Sequence, residues 1–385
     1  MSLRPWEVYL TPSLTLSLIL LAEQPPSFAR WAGEWALWLR QPALLRTALQ
    51  YEIEARGGAL PEDDSDGDAG AVVSAGTLRV VDYAYFREVE GKGGNLYQPL
   101  LPDALSMSIA NAELIDVPSV EHDLLQLSLG RVLQTYTLVD RLISLAETPF
   151  PKPNDAAHPE AEVLLKELWS RLRPEREFPG LVGKHWQEIG FQNTSPSTDF
   201  RGVGMLGLHA LLHFARTYGE RAAEIVDESV GAGEQWYPLA LASLHMTAFC
   251  LDLAKTRDLQ LFLLRFMQTP SASLPVSAST TTSASLIDLS QPDSLDKASP
   301  ATPANAESNG RGQREEVDIE PFLRISSDLL LLFHAHWRQG DFTVMQFEQV
   351  SRAFQNALRP WMSRGVLDGR ALGWEKWDEG GVKLE

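Results

Sequence analysis

Cysteine is nearly missing from this chain: Cys250 alone among 385 residues carries a thiol, so it has no disulfide partner within the chain. Set between Phe249 and Leu251 in an apolar run, that thiol reads as buried and free. Basic residues are also scarce, 33 Lys and Arg against 51 Asp and Glu, for a net charge of −18. Without a dense Lys/Arg run, such a chain repels polyphosphate, which argues against nucleic acid as a partner. The strongest membrane candidate, Val8 to Ala22, is 15 residues long and is interrupted by Thr11, Pro12, Ser13, Thr15 and Ser17. A span needs about 20 mainly apolar residues. Arg4 ahead of LTLSLILLA also fits a signal peptide. The other secretory hint, the sequon Asn193-Thr194-Ser195, falls where a glycan would cover the motif described below. The run is therefore expected to be a buried or membrane-touching N-terminal helix of a cytoplasmic protein, peripheral at an internal membrane if it meets one.

Several catalytic signatures are missing too. No glycine-rich loop runs into Lys-Ser or Lys-Thr, so the chain is not expected to hydrolyse nucleotide by itself. No serine sits in a Gly-x-Ser-x-Gly elbow. His209 and His213 share one helix face at a spacing zinc proteases use, but Ala210 stands where the glutamate base belongs. His334 and His336 point to different faces. Lacking a third convergent ligand, these residues predict no metal and no cofactor, and read as core or surface histidines.

What the chain has is apolar residues at helical spacing. An apolar content of 44% with 22% charged residues supports a sizeable core. Trp31, Trp35, Trp38 and Leu39 form a tryptophan stripe. Helices are predicted over 120–147 with Ser119 as N-cap, over 159–173, over 236–255 as a central apolar helix, over 258–267, over 322–337 and over 342–358. LRVVDYAYF, 78–86, alternates and is flanked by glycine, which suggests a small hairpin. PEDDSDGDAG, 61–70, reads as an acidic loop. From Thr269 to Asp318 serine, threonine, alanine and proline dominate and aromatics are absent, the composition of a disordered insertion. The fold class is all-α: an irregular helical domain with an N-terminal helical extension.

Residues 185–214, HWQEIGFQNTSPSTDFRGVGMLGLHALLHF, mix types that a plain core helix would not collect. Gly190, Gly202, Gly204 and Gly207 allow close backbone approach or positive φ. Pro196, Thr198 and Asp199 read as a turn into a helix start, where either side chain can cap free N–H groups. Arg201 follows on the first turn, where the positive helix end opposes a cation. It needs another reason to be there. Either Asp199 is its ion-pair partner, or it awaits an anionic target such as phosphate oxygens on another molecule.

The spacing resembles the signature of the ELMO-domain family: Trp186, then Gly190, Phe191 and Gln192, then Pro196, then Thr198, Asp199, Phe200, Arg201 and Gly202, then Gly204, with Leu208, Leu211 and Phe214 closing it. His213 stands where the family has tyrosine, which bears on packing rather than chemistry. The likeness spans about 118–362, with 118–268 and 319–362 as the ELMO-like helical domain. Residues 269–318 are the insertion, 1–117 an N-terminal extension and 363–385 a tail.

Family members bearing this arginine are GTPase-activating proteins for Arf and Arf-like small GTPases in their GTP form. The resemblance thus implies Arg201 as a catalytic finger, with Asp199 or Gln192 fixing its orientation and with Trp186, Phe191 and Phe200 packing the loop beneath it. The alternative is a binding scaffold. Larger members of the same family lack the arginine and assemble with exchange factors for Rac-type GTPases.

Overall fold

Every regular element among the described residues is a helix. In the computed structural model of the chain the described residues are 43–55, 57–58, 73–97, 102–151, 159–231, 233–266 and 318–365, together with 17, 367 and 372. The tryptophan stripe, the Val8–Ala22 run apart from Ser17, the acidic loop, the insertion up to residue 317 and most of the tail lie outside them.

The α-helices are α1 (Ala43–Ala55), α2 (Ala75–Gly91), α3 (Pro102–Ala112), α4 (Val120–Glu147), α5 (Pro159–Leu172), α6 (Gly204–Tyr218), α7 (Glu220–Val230), α8 (Leu239–Lys255), α9 (Gln260–Phe266), α10 (Glu320–Gln339) and α11 (Phe347–Met362). Four 3-10 turns, Lys184–Ile189, Pro196–Gly202, Gly233–Gln235 and Val344–Gln346, fill the connections among the described residues.

Two apolar clusters share one helix. At 28 residues, α4 is about 42 Å long, and Ser119 caps it by accepting the His122 N–H at 3.1 Å. Its first half turns Leu124, Leu125, Leu129, Val132 and Tyr136 into a cluster with α1, α2, α3 and Leu264 of α9. Its second half gives Leu138, Val139 and Leu142 to the larger cluster built by α5 to α8, α10 and α11, to which α9 adds Phe262 and Leu263. Within that larger cluster α6 is buried almost all round, packed by α4, α5, α8 and α10. A bidentate ion pair ties it to α5, Arg216 Nη2 to Glu167 Oε2 at 2.6 Å. The hydrogen bonds from Arg216 and Arg171 hold the Glu167 carboxyl down at about 2. Apolar and likewise enclosed, α8 is the expected central helix, begun at Leu239 after the buried Tyr237. Cys250 lies on it, fully buried and free, and burial raises its thiol pKa.

One expectation fails. Residues 78–86 form no hairpin but the middle of α2. Leu78, Val81, Tyr85 and Val89 are buried at three- and four-residue steps, a helical stripe hidden in a run that also alternates. The helix start decides between the two periods. Ser74 Oγ accepts the Thr77 N–H at 3.2 Å, while the buried Glu52 of α1 accepts the Ser74 N–H at 3.1 Å and the Thr77 hydroxyl at 2.9 Å. An N-cap so anchored satisfies donors that a strand would have left open.

A candidate finger loop before α6

Residues 183–203 form a loop of two 3-10 turns laid across the N-terminus of α8. An aromatic floor supports it. Trp186 is fully buried, donates Nε1–H to the Leu181 carbonyl at 3.1 Å, and meets Trp169 edge-on with centroids 5.7 Å apart. Phe191 meets Trp186 at 5.6 Å and Phe200 at 5.6 Å, and Phe200 stacks on Phe150 at 4.8 Å. Edge-on and offset rings of this kind add about 0.5–1.5 kcal/mol per pair to the burial itself. Pro196 is buried as the first residue of the second turn. Arg173, at the end of α5, donates to the Glu188 carbonyl and so holds the first turn from below.

Backbone contact replaces side chains at two glycines. At Gly190, φ is +92° and a Cβ would stand 2.3 Å from the Leu239 nitrogen, so only glycine lets the loop rest on α8. At Gly204, φ is +50° and a Cβ would stand 2.4 Å from the Thr148 carbonyl oxygen and 2.5 Å from that of Ala146. There the start of α6 is pressed against the end of α4, and the Met205 N–H donates to the Thr148 carbonyl at 3.2 Å. The negative end of one helix therefore faces the positive end of the next. The helix field expected to oppose a cation at Arg201 is met by carbonyls. Gly207 is crowded by Val203, Leu244 and Phe200. Gly202 is different: exposed, with nothing within 4 Å of where a Cβ would be. Neither positive φ nor close approach within the chain calls for it.

Thr198 and Asp199 do not cap α6, which has no side-chain cap. Asp199 turns backwards. Its carboxylate accepts the main-chain N–H of Gln192 at 2.7 Å and of Asn193 at 3.3 Å, and also the Asn193 side-chain amide. The Thr198 hydroxyl donates to the Ser195 carbonyl at 2.8 Å and to Asp199 at 3.2 Å. Asp199 is thus a clasp on the loop and not an ion-pair partner for Arg201. Gln192, exposed and bonded through its own N–H and carbonyl, does not orient the arginine either. Arg201 is exposed at the end of the second turn and has no hydrogen-bond or ion-pair partner among the described residues. The loop brings Trp186, Phe191, Pro196 and Phe200 together beneath it, while Gln192, Arg201 and Gly202 are left at the surface.

The two histidines of α6 are half-buried, and burial lowers both pKa values. His213 Nδ1 lies 2.9 Å from the Ser327 hydroxyl of α10, which accounts for it as a packing residue. Among the described residues no group of three His, Cys, Asp or Glu is placed to hold a metal. Sequence reasoning missed Thr148 and Phe150, which follow α4 and buttress the loop, because nothing local marks them as its neighbours.

Comparison with known proteins adds to this geometry. A family model described as the ELMO/CED-12 family matches residues 144–351, more than half of the chain. ELMO domain-containing protein 2 of Mus musculus is 36% identical over 116 residues, 30% of this chain and 39% of the relative. ELMO domain-containing protein 1 of Mus musculus is 34% identical over 132 residues, 34% of this chain and 40% of the relative. ELMO domain-containing protein B of Dictyostelium discoideum is 38% identical over 101 residues, 26% of this chain and 35% of the relative. No solved structure gives a significant match.

Proposed function

We propose that this chain, which belongs to the ELMO/CED-12 family, is a GTPase-activating protein that stimulates GTP hydrolysis by a small GTPase of the Arf or Arf-like group through Arg201. The observation that carries the reading is that Arg201 has no partner among the described residues, beside a carboxylate already engaged elsewhere. A guanidinium kept for structure would take the acid two residues away. Here the acid holds the loop and the cation is presented outward, next to an exposed glycine that leaves room for another molecule.

The chemistry follows from the side chain. Phosphoryl transfer spreads negative charge over the oxygens of the leaving phosphoryl group, and a planar fork with five donors meets two of them at once. A finger supplied by a partner is worth about 10³–10⁵ in rate, or ~4–7 kcal/mol of barrier. Such a contact works only if it is already in place when charge develops. The ring floor, the Gly190 and Gly204 contacts and the Asp199 clasp give that rigidity, so ordering the loop costs little at the moment of reaction. No cofactor and no nucleotide bound by this chain are required. The GTPase brings its own nucleotide and magnesium, and the reading places the encounter in the cytoplasm.

The test is a GTP-hydrolysis panel: purified Arf, Arf-like and Rho-type GTPases, each loaded with GTP, with and without catalytic amounts of this protein. Stimulation of an Arf or Arf-like member supports the reading. Binding to a GTPase or an exchange factor with no stimulation anywhere in the panel would replace it with a scaffold.

A further inference from the structure

A groove of about 630 Å³ opens beside the finger loop. It is lined by Phe191 and Gln192 of the loop, by Trp236 and Leu241, and by Met345 and Glu348. Most of the lining side chains are apolar, although main-chain and side-chain polar atoms share its surface, and two large side chains stand in the open: Trp236 is 41% exposed and Met345 is 90% exposed. Fold stability explains neither. Tryptophan and methionine are the types that anchor partners, one as a rigid plate and the other as an adaptable filler.

Charge narrows the occupant. Among the described residues that line the groove there is no Lys or Arg, and the one charged residue is Glu348, whose side chain is 60% exposed. Arg352 pairs with it loosely at 3.7 Å, both side chains being exposed, and His245 lies 3.6 Å away with its pKa lowered by burial. Glu234 is exposed two residues before Trp236, and the whole chain carries −18. An exposed carboxylate beside exposed Trp236 and Met345 fits an apolar side chain flanked by lysine or arginine. A lipid surface rich in anionic headgroups does not fit.

Distance ties this groove to the finger. Gln192 forms its wall and also donates its N–H to Asp199 at 2.7 Å, which puts the Arg201 Cα within about 15 Å of the Gln192 Cα. A standard interface of about 800 Å² per partner is about 30 Å across, wide enough to hold both. We infer that the groove is the docking site for the same small GTPase whose nucleotide Arg201 approaches. The GTPase seats an apolar side chain, flanked by basic residues, from the surface that its γ-phosphate orders. The inference rests on the proposed function and divides its labour: the groove sets affinity and Arg201 sets turnover.

The experiment measures binding and catalysis separately. Every GTPase of the panel, loaded with a non-hydrolysable GTP analogue, is titrated against the wild-type protein and its Met345→Asp, Trp236→Ala and Glu348→Lys variants by calorimetry. Steady-state hydrolysis is followed where stimulation exists. Met345→Asp and Trp236→Ala are each expected to weaken binding about tenfold or more, with turnover at saturating GTPase retained. Glu348→Lys should weaken binding at low salt and flatten its salt dependence. Binding that is lost in these variants, for a GTPase whose hydrolysis is never stimulated, would sustain the docking site and sink the proposed function. Unchanged affinity in both Met345→Asp and Trp236→Ala would overturn the docking site, as would the absence of any bound GTPase. A change in oligomeric state on Met345→Asp would overturn it too, since the groove would then hold a second copy.

Discussion

The main-chain N–H of Gln192 points into the Asp199 carboxylate at 2.7 Å, and this bond decides between the two readings that the sequence left open for Asp199 and Arg201. Asp199 faces back along the loop and Arg201 faces out. Their roles are therefore separable by mutation, because one acid shapes the loop and one base is free to act on a partner.

Arg201→Lys keeps the charge but not the fork. GTPase stimulation is expected to fall toward the intrinsic rate, a loss of about 10³–10⁵, at an unchanged melting temperature. Asp199→Asn keeps one oxygen for the two main-chain donors but sets an NH2 against the Asn193 side-chain amide, from which the second carboxylate oxygen accepts, and should cost about 1–3 kcal/mol of stability. Rates and thermal melts of both variants decide the matter. An Arg201→Lys protein that melts early, or that stimulates normally, would sink the finger.

Gly204→Ala and Gly202→Ala form a matched pair two positions apart. The first forces a Cβ into the Thr148 carbonyl at a φ of +50°, and is expected to destabilise by about 2–5 kcal/mol. The second meets open space and should leave the melting curve unchanged while lowering GTPase stimulation, since the methyl group lies on the approach to Arg201. Equal melting temperatures for the two variants would contradict the packing of α6 on α4.

Asp328 predicts a pH dependence. It is 2% exposed, accepts the Tyr218 hydroxyl at 2.6 Å through Oδ1, and has no partner for Oδ2. Burial raises its carboxyl to about 6, so the folded state favours the neutral acid. The stability it contributes is fully present below its unfolded value near ~3.9 and is lost as pH rises through about 6. Asp328→Asn removes that loss and should raise stability at pH 8 by roughly 1–3 kcal/mol, with little gain at pH 4.5. Melting curves at the two pH values test the sign. A gain confined to acid would refute it.

Arg257 joins parts of the chain far apart in sequence. It lies over the Phe86 ring at 4.1 Å and pairs with Asp82, which is 1% exposed and also accepts from Tyr136 at 2.8 Å and from Gln260 at 3.0 Å. Arg257→Ala leaves a buried carboxylate short of its cation, at a cost of about 3–5 kcal/mol. Asp82→Asn in the same background should recover part of that loss, which a double-mutant cycle in urea can measure.

The linear pattern by itself determined most of the helices from Ser119 onward, α7 (Glu220–Val230) being missed, and the floor of the finger loop. A Ser cap followed by a long apolar stripe, and aromatics at Trp186, Phe191 and Phe200, have to be buried whatever lies opposite, because the drive to remove apolar surface from water has no direction. Periodicity was not enough at 78–86, where one run satisfies both the two-residue and the 3.6-residue repeat. Glu52, 22 residues before Ser74, settled it as a helix. Tertiary structure alone decided the pairings. Thr148 stands behind Gly204, Arg257 reaches Asp82 across 175 residues, and Met345 lines the same groove as Phe191. Hydrogen bonds and ion pairs are directional and short-ranged, so their partners are set by how helices dock and not by the order in which residues follow one another. For that reason the arginine could be picked out from its neighbours in sequence, but its freedom from Asp199 could be seen only once the loop had closed on Gln192.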